Sequence, residues 1–263
     1  MKRYAFIGAG NMAYAIIGGM GEADITVYDK ITSQYEKFGT GVNTAQSAPK
    51  AIENADYIVL AVKPQNFAEL LKEIRESGVS LDGKTFVSIA AGVKTVSICN
   101  GLGKDVPVIR TMPNTPLLIG KGVTALSRNS LVSNEAFKEI DAMFSSIGVT
   151  VELPEDKMNA VIAATSSAPA YVYHIIDSIC AEARAEGLDF PGMTEAVCEM
   201  VKGSADMVLQ SGKTPTELIK MVTSPNGTTE RAMNVLYGEG IAETIARAMR
   251  ACTERAKELS DAL

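Results

Sequence analysis

Hydrophobic positions in the first half of the chain fall in short continuous runs, separated by amphipathic segments of helix length. Residues 3–8 and 25–28 are apolar runs of strand length. Residues 57–62 (YIVLAV) are nearly all apolar, as a strand buried on both faces must be. Residues 85–90 and 106–111 repeat the pattern. Helices are predicted around residues 12–20, 64–76 and 95–102. Alternation of this kind predicts an α/β fold: a doubly wound parallel sheet with helices on both faces. Residues 123–127 and 149–153 read as edge strands flanking a helix at 134–147.

After Leu153 strand signals vanish and helical periodicity persists to the end. Val172, Ile175, Ile176, Ile179 and Ala183 form one stripe, and Val197, Met200, Val201, Ala205 and Val208 a second. Ile241, Ile245, Met249, Cys252, Ala256 and Leu259 form a third. The expected division is therefore an α/β domain at 1–153 and an all-α domain at 154–263. Met193, Met200 and Met207 repeat every seven residues, and methionine is an adaptable packing residue. They read as core or as a helical dimer interface. The long C-terminal stripe has few local partners, which favours the homodimer through these helices.

Composition narrows the chemistry. The 263 residues are 46% hydrophobic and 21% charged, which excludes intrinsic disorder. Lysine plus arginine number 25 against 31 acidic residues, for a net charge of −6, so no nucleic-acid partner is expected. The single histidine, His174, lies in an apolar helical run and removes most histidine-dependent hydrolase and metal chemistry; no metal is expected. Cys99, Cys180, Cys198 and Cys252 are far apart and read as reduced, half-buried core positions of a cytoplasmic protein. Residues 4–21 lack charge but are broken by Gly8, Gly10 and Asn11, and residues 158–176 are too polar for hydrocarbon. No membrane association is expected.

Phe6-Ile7-Gly8-Ala9-Gly10-Asn11-Met12-Ala13 follows the first strand and opens the first helix. In this context it reads as the phosphate turn of a Rossmann-like dinucleotide-binding domain. Gly8 permits the tight turn, Gly10 lets the backbone approach a pyrophosphate, and Ala13 allows close packing of helix on strand. The N–H groups of Asn11 and Met12 face the anion at the positive end of the helix dipole. About twenty residues on, Asp29 suits the ribose hydroxyls of NAD, or is simply a turn residue, while Lys30 suits the 2′-phosphate of NADP. The two signals oppose each other, so the cofactor is NADPH or NADH.

The glycine motif, with Ala61-Val62-Lys63-Pro64-Gln65, Ser88-Ile89-Ala90-Ala91-Gly92-Val93, Arg110-Thr111-Met112-Pro113-Asn114-Thr115-Pro116 and Val222-Thr223-Ser224-Pro225-Asn226-Gly227-Thr228-Thr229, closely resembles the pyrroline-5-carboxylate reductase family. The resemblance runs from residue 3 to about residue 260, with the motifs in order and few gaps. Each alone is weak, and the ordered set is specific. The resemblance implies NAD(P)H-dependent hydride transfer to the C5=N imine of 1-pyrroline-5-carboxylate, giving L-proline. It places Ala61, Val62, Lys63 and Pro64 in the cofactor cleft and Ala90, Ala91 and Gly92 beside the nicotinamide. Met112, Pro113 and Asn114 would form the wall behind it. Ser224, Asn226, Gly227, Thr228 and Thr229 would hold the substrate carboxylate, with Thr229 hydrogen-bonding the ring nitrogen as the catalytic residue. It also implies dimers, with larger rings as a further possibility.

The bend at 223–229 reads independently as a helix start over about 228–236, with Asn226 or Thr228 as N-cap and Glu230 and Arg231 in the first turn. Two departures from the family pattern stand out. Asn226 replaces a glycine, and asparagine tolerates a left-handed backbone. Thr165-Ser166-Ser167-Ala168-Pro169 replaces a glycine-richer stretch. These departures keep a regulatory or nucleotide-sensing paralogue without turnover as an alternative. A β-hydroxyacid dehydrogenase-like oxidoreductase is the other, disfavoured because residues 158–186 contain no lysine.

Overall fold

A computed structural model describes residues 1–261. The chain begins β1 (Arg3–Ile7), α1 (Asn11–Gly19), β2 (Asp24–Tyr28), β3 (Val42–Thr44), α2 (Ala48–Ile52) and β4 (Tyr57–Leu60). It continues α3 (Phe67–Ser77), β5 (Thr85–Ser88), α4 (Thr95–Leu102), β6 (Val108–Met112), β7 (Gly122–Arg128), α5 (Asn134–Ser145) and β8 (Gly148–Glu152). Six helices follow: α6 (Met158–Val161), α7 (Ala168–Ala185), α8 (Met193–Gln210), α9 (Pro215–Val222), α10 (Thr228–Gly238) and α11 (Ile241–Asp261).

The eight strands run β3-β2-β1-β4-β5-β6-β7-β8. Neighbours are parallel except β6 with β7, which pair antiparallel through Arg110 and Ser127. Alternation within each strand builds two cores. Tyr4, Phe6, Tyr57 and Val59 meet α1 and α5 through Ile16, Ile17, Ile140 and Phe144. Ala5, Ile7, Ile58 and Leu60 meet α2, α3 and α4 through Ile52, Leu71, Ile74 and Ile98. The expected doubly wound sheet is what forms, with β7 and β8, which run opposite to the other six strands, added at one edge. β3 and α2 have no counterpart in the hydrophobic pattern, because three half-exposed or exposed residues and a five-residue helix are too short to show a period.

The apolar runs at 3–8, 57–62 and 85–90 outlast their strands, which end at Ile7, Leu60 and Ser88. The surplus residues turn over the carboxyl ends of adjacent strands. Strand order reverses between β1 and β4, the place where open α/β sheets form a ligand crevice.

Two compact units divide the chain: Met1–Ser167 with the stretch from Ala251 onward, and Ala168–Arg250. This division differs from the expected break after Leu153. The reason is a third cluster, in which Met158 and Ile162 pack with Met112, Ala125 and Ala256, so α6 and the end of α11 join the sheet's unit. In the helical unit α7 packs on α8, and Cys180 and Val197 are buried. Val172, Ile175, Met200, Met207, Met221, Val222, Val235 and Leu236 are exposed on the single chain. Large apolar side chains left exposed in this number suit an interaction face. His174 is exposed, and Cys198 is exposed rather than in a core.

Candidate cofactor cleft and anion-binding bend

Gly8 and Gly10 do different work. Gly8 has φ +111°, a conformation open to glycine alone, and a Cβ there would stand 2.6 Å from the Ala61 carbonyl oxygen. Its N–H donates to the Tyr28 carbonyl at 2.7 Å, so the turn is tied to β2 as well as crowded by β4. Gly10 is the N-cap of α1 with ordinary extended angles, and a Cβ there would meet nothing within 4 Å. Neither backbone strain nor packing requires glycine at position 10. The open space beside it is a cradle that a side chain would fill. With no side chain at the cap, the first N–H groups of α1 stay available to a bound anion. The residues present therefore fit a dinucleotide.

Asp29 closes the other side of this turn. Its carboxylate accepts the Ala9 N–H at 2.7 Å and the Ile31 N–H at 2.8 Å. Tyr35, on a 3-10 turn (Thr32–Lys37), accepts the Asp29 N–H through its hydroxyl oxygen and donates to the Asp29 carbonyl, both at 2.9 Å. Lys37 donates to the Ala9 carbonyl and to Asn11 Oδ1, each at 3.3 Å. Lys30 pairs with Glu69 at 2.9 Å, and that bond raises its pKa above the ordinary lysine value. Burial pushes the Tyr28 hydroxyl up, reinforced by Glu73.

A cleft of about 650 Å³ joins these groups. Ile7, Gly8 and Gly10 line one wall, Tyr28, Asp29, Lys30, Ile31 and Gln34 another, and Ala61, Val62, Lys63, Gln65, Asn66, Leu70 and Glu73 the third. Of the expected cofactor residues, Ile7, Gly8 and Gly10 of the glycine turn, Asp29 and Lys30 at the β2 end, and Ala61, Val62 and Lys63 at the β4 end come together, whereas Ala9, Asn11, Met12 and Pro64 are not part of this lining. Tyr35, Gln34, Glu69 and Glu73 were not legible from spacing, since their place depends on how the 3-10 turn and α3 meet the cleft.

The remaining expected residues sit deeper or apart from this lining. Ala90, Met112, Pro113 and Asn114 are buried. Asn114 ties two segments together: its Oδ1 accepts the Val123 N–H at 2.9 Å and its Nδ2 donates to the Thr165 carbonyl at 3.0 Å. Gly92 lies under the end of α11, where a Cβ would press on Leu259 and Ala256, and its carbonyl accepts the Ser260 hydroxyl.

The bend between α9 and α10 belongs to the helical unit. Asn226 has φ 59° and is the one non-glycine with positive φ among the described residues, as its tolerance for that region predicts. The N-cap of α10 is Gly227, not Asn226 or Thr228. A Cβ at position 227 would stand 2.4 Å from the Ser224 hydroxyl oxygen, so the place favours glycine. Glu230 reaches back to accept the Asn226 N–H at 2.9 Å. Thr229 is half-buried, whereas Ser224, Asn226 and Thr228 are exposed. Hydroxyls and helix N–H groups thus converge in one short bend, a pattern that suits a carboxylate.

Among the described residues, no group of three or more histidine, cysteine or acidic side chains is placed to hold a metal. No described helix is long and apolar enough to cross a membrane.

Residues 155–259 match the family described as pyrroline-5-carboxylate reductase dimerisation, and residues 3–92 match NADP oxidoreductase coenzyme F420-dependent. Pyrroline-5-carboxylate reductase of Escherichia coli is 36% identical, covering 98% of each chain. The Pseudomonas aeruginosa enzyme of the same name is 33% identical, over 99% of this chain and 98% of that one. The crystal structure of Plasmodium falciparum pyrroline carboxylate reductase with NADP bound superposes with a TM-score of 0.89 at 27% identity, covering 98% of both chains.

Proposed function

The chain belongs to the pyrroline-5-carboxylate reductase family, and on that premise we propose that it reduces 1-pyrroline-5-carboxylate to L-proline with NADPH or NADH, the last step of proline biosynthesis. The observation that carries this reading is full-length similarity at 36% identity to an enzyme of that name. The cradle at Gly10 and the carboxylate-suited bend at 224–229 support it chemically.

The nicotinamide supplies the hydride when bound. Asn11 and Met12 hold the pyrophosphate by their N–H groups at the turn Ile7, Gly8, Ala9 and Gly10. Asp29, Lys30, Ala61, Val62, Lys63 and Pro64 take the adenosine ribose and phosphates. Ala90, Ala91, Gly92, Met112, Pro113 and Asn114 bound the nicotinamide end. Ser224, Asn226, Gly227 and Thr228 fix the substrate carboxylate, and Thr229 hydrogen-bonds the ring nitrogen as it becomes an amine. An imine protonated on nitrogen is already a hydride acceptor, so this chemistry needs orientation more than a strong acid. A site without histidine suffices. Functionally the chain divides at 1–153 and 154–263, a reading supported by the last strand ending at Glu152 and by the family match beginning at residue 155.

Oxidation of NADH or NADPH followed at 340 nm with pyrroline-5-carboxylate tests the activity. Absence of substrate-dependent oxidation with both cofactors would leave a nucleotide-binding protein without turnover. Thr229→Ala is expected to lower kcat/KM by roughly 10- to 1,000-fold, the loss of one positioned hydrogen bond. Unchanged kcat/KM would remove Thr229 from its role.

The helical domain makes the protein a homodimer, as the dimerisation family it matches describes. We place the dimer in the cytoplasm and propose that dimers assemble into larger rings. Light scattering should then give a mass that is a multiple of two 27.9 kDa chains and larger than one pair. A mass of a single pair at all concentrations would restrict the assembly to the dimer.

A further inference from the structure

We infer that this chain discriminates between the two nicotinamide dinucleotides in favour of NADH, and that Asp29 is the residue that sets the preference. The inference rests on the reading of the cleft beside Gly10 as the cofactor site.

Asp29 stands at the end of β2, where a carboxylate accepts hydrogen bonds from the adenosine ribose hydroxyls. A ribose offers two O–H donors. A 2′-phosphate offers no donor when fully ionised and carries nearly two negative charges. A carboxylate free to rotate would escape the clash by turning away. This one is held. Its two oxygens accept the Ala9 and Ile31 N–H groups at 2.7 and 2.8 Å, and Tyr35 fastens the Asp29 backbone on both its N–H and its carbonyl. Rotating the carboxylate out would strip the Ala9 N–H bond from the phosphate turn itself. The acid that a 2′-phosphate must displace is therefore part of the turn that holds the pyrophosphate. Each carboxylate oxygen still has a lone pair free for a ribose hydroxyl.

The nearby cations do not reverse this balance. Lys30 is engaged by Glu69 at 2.9 Å. Lys37 is turned to the Ala9 carbonyl and Asn11 Oδ1. Lys63 lines the cleft, but so does Glu73. The Lys30–Glu69 pair is exposed and worth little, so a phosphate can recruit Lys30 by breaking it. That bounds the preference at roughly 10- to 100-fold rather than exclusion.

Isothermal titration of the intact protein with NADH and with NADPH, no substrate present, reads the preference directly. NADH is expected to bind at least tenfold more tightly. Glu69→Gln frees Lys30 and should tighten NADPH about 3- to 10-fold while leaving NADH unchanged. Asp29→Ser removes the fixed charge and should bring the two dissociation constants within about threefold of each other. If Asp29→Ser fails to fold, the wild-type ratio and Glu69→Gln decide. Equal or tighter binding of NADPH by the wild type overturns the inference and leaves the cleft assignment standing. Binding of neither dinucleotide overturns both.

Discussion

Gly10→Val is expected to leave the protein folded and nearly unable to hold a dinucleotide, whereas Gly8→Val should destabilise the fold itself. The two glycines are separated by one residue in the same turn, yet their environments are opposite. At position 10 the backbone angles are ordinary and the space a Cβ would take is empty, so the substitution costs no more than the roughly 1 kcal/mol of a poorer N-cap. That space is where a pyrophosphate must approach the N–H groups of α1. Loss of two charge-assisted hydrogen bonds, each worth about 1.5 kcal/mol or more, weakens the dissociation constant on the order of 100-fold. At position 8 the φ of +111° and the Ala61 carbonyl at 2.6 Å combine backbone strain with overpacking, together about 2–4 kcal/mol. Thermal unfolding and NADH titration on both variants separate the effects. A Gly10→Val protein with wild-type affinity would reject the cradle, and a Gly8→Val protein with wild-type stability would reject the packing argument.

That division of labour marks the limit of what the amino-acid pattern conveys. The glycine spacing announces a phosphate turn because strand, turn and helix are contiguous. Which glycine serves the fold and which the ligand depends on Ala61, more than fifty residues away, and only the assembled sheet shows it. Residues 57–62 were legible as a strand because burial on both faces demands an unbroken apolar run, and Leu60 marks where the strand stops because Ala61 and Val62 are needed as cleft wall. The left-handed Asn226 was legible from intrinsic preference alone. The N-cap at Gly227 was not, since the crowding by the Ser224 hydroxyl that disfavours a side chain there appears only in the folded bend. Asp29 was legible only as an ambiguity: spacing allowed a ribose ligand or a turn residue. Its bonds to Ala9 and Ile31 make it a turn residue that still presents its charge to the cleft. The return of α11 to the sheet's unit had no local signal, because its stripe runs unbroken through Arg250 while its packing partners change from one unit to the other.

The second large effect concerns Arg110, and the expected result runs against intuition: removing its partner should hurt more than removing the arginine. Arg110 sits in β6 with 1% of its surface exposed. It donates from Nη2 to Asn159 Oδ1 at 2.6 Å, stands 3.8 Å from a Glu155 carboxylate oxygen through Nη1, and has no partner for Nε among the described residues. Burial pulls the guanidinium down from its ordinary value, with Glu155 opposing, yet an arginine stays charged. Glu155 also accepts the N–H and hydroxyl of Thr95 at 2.7 and 2.8 Å, capping α4, while Asn159 passes the contact on through Ser260 to the Gly92 carbonyl. Glu155→Gln retains an acceptor for Thr95 but leaves a buried cation without its counter-charge. A fully buried pair broken this way loses about 3–5 kcal/mol; with Glu155 one-third exposed, about 2–3 kcal/mol is expected. Arg110→Met replaces the charge with an unbranched apolar chain of similar length and should change stability by no more than about 1 kcal/mol. Urea unfolding of the two variants measures the asymmetry. If Arg110→Met proves the more damaging, the guanidinium contributes net stability through its bonds, and the cost of its burial has been overstated.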